Sequence, residues 1–264
     1  MSNIRNQTTA QTQYADGRNL DIRRRLHDLY SINPQPFPAW CWEQYSFVTH
    51  CRILELGCGT GAFWTDHAAQ LPTNATLVLS DISEGMVQEA AANTAQHAHV
   101  STQVIDIQHI PFPDDSFDVL MAHHMLYHVP DLPQAVDEMH RVLRPGGILY
   151  STTNGNNGMS GWLHNALQAF DPTLDAFGER YAFALENGHE ILARRFADVC
   201  MTEQPNGLRI THTQDLMDWL ASTISMSGLA HVDWDKLYDY FEALRQTTGA
   251  TNIPKRVGMF VATK

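Results

Sequence analysis

The chain has 264 residues, 44% of them hydrophobic, and 17 Lys and Arg against 29 Asp and Glu give a formal charge of −12. That length carries one large domain with a full core, the apolar content excludes a disordered chain, and so acidic a surface repels phosphate backbones, so no nucleic-acid partner is expected. No apolar stretch approaches the ~18 residues of a membrane helix, MSNIRNQTTAQTQY lacks the apolar core of a signal peptide, and cysteines 41, 51, 58 and 200 form no CxxC pair, so the expectation is a cytoplasmic protein with reduced thiols and no membrane partner.

Residues 19–29 have helical spacing, with Leu20, Ile22, Leu26 and Leu29 toward one face, and prolines 34, 36 and 38 end that helix. A second, aromatic-rich helix is expected over 39–49. Short apolar runs at 52–56, 76–82, 100–107, 116–124 and 146–154 read as buried strands, with helical stretches at 61–70, 83–96 and 131–143 between them. That alternation indicates an α/β fold, a parallel sheet with helices on both faces and the ligand site at the carboxyl ends of the strands. After Asn154 the alternation stops. Residues 156–195 read as helical with a break at DPT, strands follow at 197–204 and 208–211, helices at 213–223 and 233–247, and VGMFVATK reads as a last strand. The chain then divides into an N-terminal helical segment (1–50), a nucleotide-binding core (51–154), a helical lid with the sixth strand (155–250) and a final core strand (251–264).

The chemistry concentrates in RILELGCGTGAF (52–63), where a buried strand runs into Gly57, Gly59 and Gly61 and a helix begins. Glycines permit a tight turn and a close approach of backbone to ligand, and the helix presents free N–H groups. GCGTGA also satisfies the dinucleotide pattern through Gly57, Gly59 and Ala62, so an NAD-dependent oxidoreductase competes with an S-adenosylmethionine site. Glu55 favours the second, because a carboxylate suits an ammonium group and sits badly beside a pyrophosphate. Asp81, ending the second strand, can accept both ribose hydroxyls under either reading, or can cap the next helix. Asp106 can accept the exocyclic amine of adenine, and Ile107 offers a backbone N–H and an apolar wall.

The segments ELGCGTG (55–61), SDIS (80–83), IDIQHIPFPDDSFD (105–118), HMLYHVPD (124–131) and RVLRPGG (141–147) resemble class I S-adenosylmethionine-dependent methyltransferases acting on small molecules, over about residues 50–155. The resemblance implies a Rossmann-like seven-stranded sheet whose last strand is antiparallel and lies between the fifth and sixth. It implies that Glu55, Gly57, Cys58, Gly59 and Gly61 hold the methionine part. Asp81 would bind ribose with Ile82 beside adenine, Asp106 and Ile107 would bind adenine, and the backbone at Ala122 and His123 would lie near the sulfonium. The helix carrying Tyr30 resembles the segment that closes over the cofactor.

Methyl transfer from a sulfonium is an in-line displacement in which alignment and exclusion of water supply most of the acceleration. A base is needed only for an acceptor that carries a proton, such as a hydroxyl or a protonated amine. AHHMLYHV (122–129) gathers the candidates: His124 first, His128 second, then His123 and Tyr127, each of which can equally be a structural hydrogen-bonding residue. His124 and His128 could share a cation, yet no third ligand is evident by spacing, so no metal is expected. Tyr127, Asn154 and Trp40 are candidate acceptor contacts, with Asn154 otherwise a helix cap and Trp40 otherwise core. The expected activity is transfer of a methyl group to oxygen or nitrogen of a small organic acceptor, leaving S-adenosylhomocysteine. The rivals are the oxidoreductase and a cofactor-binding protein without turnover.

Overall fold

The strand–helix alternation builds a seven-stranded sheet in the order β3-β2-β1-β4-β5-β7-β6, and the computed structural model describes residues 18–223 and 227–264. The strands are β1 (Arg52–Leu56), β2 (Thr76–Asp81), β3 (Val100–Val104), β4 (Phe117–His123), β5 (Leu143–Asn154), β6 (Ala197–Ile210) and β7 (Thr251–Thr263). β1 pairs in parallel with β2 and β4, whereas β7 runs antiparallel between β5 and β6, as expected.

Alternation along the strands gives each face its own core. Leu54, Leu56, Leu120, Ala122 and Leu149 face one way and pack on Ala135, Val136, Met139 and Val142 of helix Leu132–Val142. Ile53, Val119, Met121 and Tyr150 face the other way and meet Trp64, Ala90, Trp40 and Cys41. Those four come from helices α3 (Ala62–His67), α4 (Glu84–Thr94) and α2 (Phe37–Gln44).

A third cluster lies beyond the carboxyl edge of the sheet. Asn154 pairs with Val257, so residues 251–256 of β7 run on past the end of β5 with the second half of β6 as their partner. Leu208, Ile210 and Ile253 of this ribbon pack with Leu26 and Tyr30 of α1 (Arg18–Tyr30) and with Leu163, Leu216, Leu220, Leu237 and Phe241.

Four expectations change. α1 buries Leu26 and Tyr30, whereas Ile22 is 40% and Leu29 54% exposed, because the inward stripe follows the i, i+4 spacing of Leu26 and Tyr30. Residues 156–195 are not one helical stretch: helices span Met159–Phe170 and Gly188–Leu192, with irregular chain between. The strands expected at 197–204 and 208–211 are one strand. Pro205 and Gly207 read as a break in sequence, but β6 is the sheet edge, where a residue without an N–H is tolerated. β3 stops at Val104, and Asp106 starts a turn closed by His109 N–H to Asp106 O at 2.8 Å. Among the described residues no helix is long and apolar enough to cross a membrane.

Candidate active site

The turn after β1 carries three left-handed glycines at alternate positions, with φ of +74° at Gly57, +55° at Gly59 and +66° at Gly61. Gly57 has two reasons to be glycine, because a Cβ there would lie 2.8 Å from Met125 Cβ and Cγ. Gly61 sits against Ala90 of α4 and lets the helix after the turn approach β2. A Cβ at Gly59 would be 3.4 Å from Leu20, so the first turns of α1 lie over the glycine turn. The Cys58 N–H donates to Ser80 O at 2.8 Å and the Ser80 hydroxyl to Glu55 O at 2.7 Å, which fixes the turn against the end of β2.

Two carboxylates stand at this turn, and a third lies in the loop after β3. Glu55 is only 4% exposed, and its carboxylate accepts from the Trp64 indole N–H. Burial raises its carboxyl to about 7, partly opposed by the indole and reinforced by the Asp81 charge. Asp81 accepts from Gly59 N–H at 3.0 Å and Ser83 N–H at 2.9 Å, one on each oxygen. Burial holds its carboxyl above the usual range despite those bonds. A carboxylate offers about four lone-pair sites, so each oxygen retains capacity for a hydroxyl. Asp81 does not cap α4, since Ser83 takes that place with its side chain on Met86 N–H. Asp106 accepts from Gln108 N–H at 2.9 Å and from the Gln108 amide at 3.1 and 3.2 Å. Ile107 is buried and Ile82 lies at the start of the loop into α4.

A second group stands across the turn, at the ends of β4 and β5. The Tyr45 hydroxyl lies 2.9 Å from His123 Nε2, and His123 Nδ1 lies 3.3 Å from Thr152 Oγ1. A consistent assignment has Tyr45 donating to Nε2 while Nδ1–H donates to Thr152. Burial lowers the His123 pKa to about 4, so the ring is neutral, and both nitrogens are engaged. Next to it, His124 adopts φ +52°, held there by its N–H on Thr152 O at 3.0 Å. A left-handed non-glycine residue costs energy that a surrounding structure must offset, and such strain clusters at functional sites. The His124 ring centroid is 5.4 Å from that of Phe37. Burial lowers its pKa to about 3, with further contributions from His123, Lys255 and His128. A group protonated so far below neutrality is a weak general base, and this weighs against the proton-accepting role expected of His124.

The remaining expected residues divide. Ala122 is buried in the sheet, under Ser151, whose hydroxyl donates to Ala122 O at 3.0 Å. Tyr127 turns toward Tyr181, 5.0 Å between centroids, and packs at 4.5 Å on His128. Trp40 stacks on Phe37 at 5.5 Å and is core. Asn154 ends β5, its carbonyl accepting from Leu185 N–H. Tyr30 is drawn away from the glycine turn: its hydroxyl bonds Asp215 and lies 3.2 Å from His212 Nδ1. Phe37, Tyr45, Thr152, His27 and Lys255 were missed. Their only signal is the topology, which brings residues far apart in sequence to one edge.

The strand order and the reversed β7 define a Rossmann-like fold of the methyltransferase kind. Residues 54–151 match the family described as the methyltransferase domain. It is similar to the demethylmenaquinone methyltransferase of Symbiobacterium thermophilum, 31% identical over 134 residues that cover 47% of this chain and 53% of that protein. The chain thus spans about half the length of the curated relatives it matches. Among solved structures, the YcgJ protein of Bacillus subtilis shares the fold with a TM-score of 0.58 at 17% identity, over 85% of this chain and 96% of that one. Phosphoethanolamine N-methyltransferase 2 of Haemonchus contortus, solved with S-adenosylhomocysteine, shares it with a TM-score of 0.52 at 19% identity, over 94% of this chain and 53% of that one.

Proposed function

We propose that the whole chain is a methyltransferase that moves a methyl group from S-adenosylmethionine to a small organic acceptor. The observation that carries this reading is the register of the site: Leu56 pairs with Ser80, and this delivers Asp81 to the N–H of Gly59 while Glu55 stays buried below the same turn. The donor set fits the cofactor. A glycine turn admits close backbone approach, Asp81 has spare acceptor capacity for a diol, and a buried carboxyl poised near 7 is completed by an ammonium group. When bound, the cofactor supplies the methyl group as an activated sulfonium, handed over by in-line displacement.

The chain's own residues bind, orient and exclude water. Glu55 and the turn would hold the amino-acid part, Asp81 the ribose, and Asp106 with Ile107 the base. Met125, packed on Gly57, would cover the turn from the acceptor side. His123, fixed between Tyr45 and Thr152, acts as a positioning residue and walls the cleft at the end of β4. α1 would close over the turn through Leu20, and Tyr30 would anchor that helix to Asp215. A small acceptor is supported by the helical layer over the strand ends, and the charge of −12 disfavours a nucleic acid.

Calorimetry tests the reading. S-adenosylmethionine and S-adenosylhomocysteine should bind, and NADH should not. NADH binding with no heat from either sulfur ligand would overturn it.

A further inference from the structure

Lys255 stands out against its neighbours. It sits on the part of β7 that runs past the end of β5, two residues before the Asn154–Val257 pair. Arg256, the next residue, points to the other face and is held by Glu186 at 2.9 Å and Glu203 at 2.5 Å. Among the described residues, Lys255 has no ion-pair or hydrogen-bond partner, only the face of Phe37, 5.6 Å from its Nζ. A mostly buried ammonium without a counter-charge is costly unless something supplies one.

Apart from the exposed Asp28, the groups around it are cationic or neutral. Phe37 bridges Lys255 to the His124 ring, and the Lys255 charge acts on both His124 and His27. His27 Nδ1, on the inner side of α1, is buried with no hydrogen-bond partner among the described residues. The strap between α1 and α2 holds these groups in place. Ile32 N–H bonds Gly207 O at 3.0 Å, and the Asn33 amide bonds Pro205 O at 2.8 Å. Asp28 is the one carboxylate whose charge acts on Lys255, and it already lies near Arg24. In a chain of charge −12, this region therefore holds an ammonium and an orphaned imidazole nitrogen.

We propose that Lys255 and His27 form the acceptor-recognition subsite, and that the acceptor presents an oxyanion to them, either a carboxylate or an ionised phenol or enol. This deepens the methyltransferase reading and rests on it. An acceptor that arrives ionised needs no proton acceptor, which agrees with buried imidazoles at His123 and His124 that hold no proton near neutrality. Lys255, lowered by burial to about 8, still carries its charge at pH 7.

The test uses the full chain saturated with S-adenosylhomocysteine, at neutral pH, and two probe pairs: benzoate against benzamide, and 4-nitrophenolate against 4-nitroanisole. At least one anion should bind about tenfold or more tighter than its neutral partner, the size expected of a charge-assisted hydrogen bond. Preference in the first pair assigns a carboxylate, and preference in the second an ionised hydroxyl. In Lys255→Met the preference should vanish with affinity for the neutral probes unchanged, and in Lys255→Arg it should persist. His27→Gln should reduce it severalfold. Equal binding within both wild-type pairs, no binding of either anion, or equal loss of anionic and neutral probes in Lys255→Met would overturn the subsite. The S-adenosylhomocysteine titration is separate: no heat there sinks the methyltransferase reading, while intact binding without an anion preference sinks the subsite alone.

Discussion

The two sides of the cleft are built from opposite chemistry. On the β1–β3 side stand a glycine turn and three carboxylates, Glu55, Asp81 and Asp106. On the β4–β7 side stand His27, His123, His124 and Lys255 around Phe37 and Tyr45. Burial acts on both, in opposite senses: it pushes the Glu55 and Asp81 carboxyls up and the imidazoles and the amine down. On both sides burial disfavours the charged form, which a complementary charge would restore. On the proposed reading, the acidic side receives the cationic donor and the basic side the anionic acceptor.

The contrast breaks most severely at Gly57. Gly57→Val puts a branched side chain at φ +74° and 2.8 Å from Met125, so S-adenosylhomocysteine affinity should fall more than about a hundredfold, with a loss of roughly 2–4 kcal/mol in denaturant unfolding. Affinity within threefold of the wild type would mean that the turn is not the cradle.

Glu55→Gln separates binding from stability. A folded-state pKa of about 7 against an ordinary 4.5 means that the protonated form is favoured by folding. That stabilisation is complete below pH 4.5 and is lost as pH rises through 7. The neutral amide should therefore raise ligand-free stability at pH 8 by about 2 kcal/mol and leave it unchanged at pH 4, while weakening S-adenosylmethionine roughly tenfold or more. Urea unfolding at the two pH values and calorimetry would check both arms.

The imidazole side gives the opposite slope. His27, His123 and His124 have folded-state pKa values of about 3, 4 and 3 against an ordinary 6.5. Their neutral forms are favoured by folding, so stability is complete above 6.5 and falls as pH drops toward 3. Replacing His124 by Gln should flatten the stability curve between pH 6 and 4 by about one proton, or ~1.4 kcal/mol per pH unit. An unchanged slope would place His124 in contact with water.

Tyr45→Phe is the mildest break. It removes the hydroxyl on His123 Nε2, and the expected loss is about 1 kcal/mol in unfolding free energy with the cofactor affinity retained. A large loss of cofactor affinity would show that the His123 ring, and not only its backbone, supports the donor side.

The same division governs what sequence reading could see. The donor side is written in contiguous stretches, ELGCGTG and SDIS, because a strand, a turn and a helix start must follow one another in the chain. The strand, turn and helix start over 52–63 were legible for that reason, and the family resemblance implied the seven-stranded sheet with its reversed last strand. The acceptor side is assembled from residues 27, 37, 45, 123, 124 and 255, and no local pattern joins them. The AHHMLYHV stretch ends β4 as expected, but no local pattern says which imidazole faces what. His123 and His124 are adjacent, yet a left-handed residue between strand and loop sends them to different partners. The break expected between 204 and 208 misled for a related reason, since a strand break and a sheet edge can carry the same residues.

The bonds from Ile32 and Asn33 to the ribbon at Pro205–Gly207 have a kinetic consequence. A helix stapled to the far rim cannot lift by itself, so admitting a fresh donor and discharging the spent one would require that staple to open. Amide exchange at Ile32 should then slow when S-adenosylhomocysteine is added, and shortening Asn33 to Ala should hasten discharge more than it weakens affinity at equilibrium. The pace of successive turnovers would be set at that rim and not where the methyl group moves.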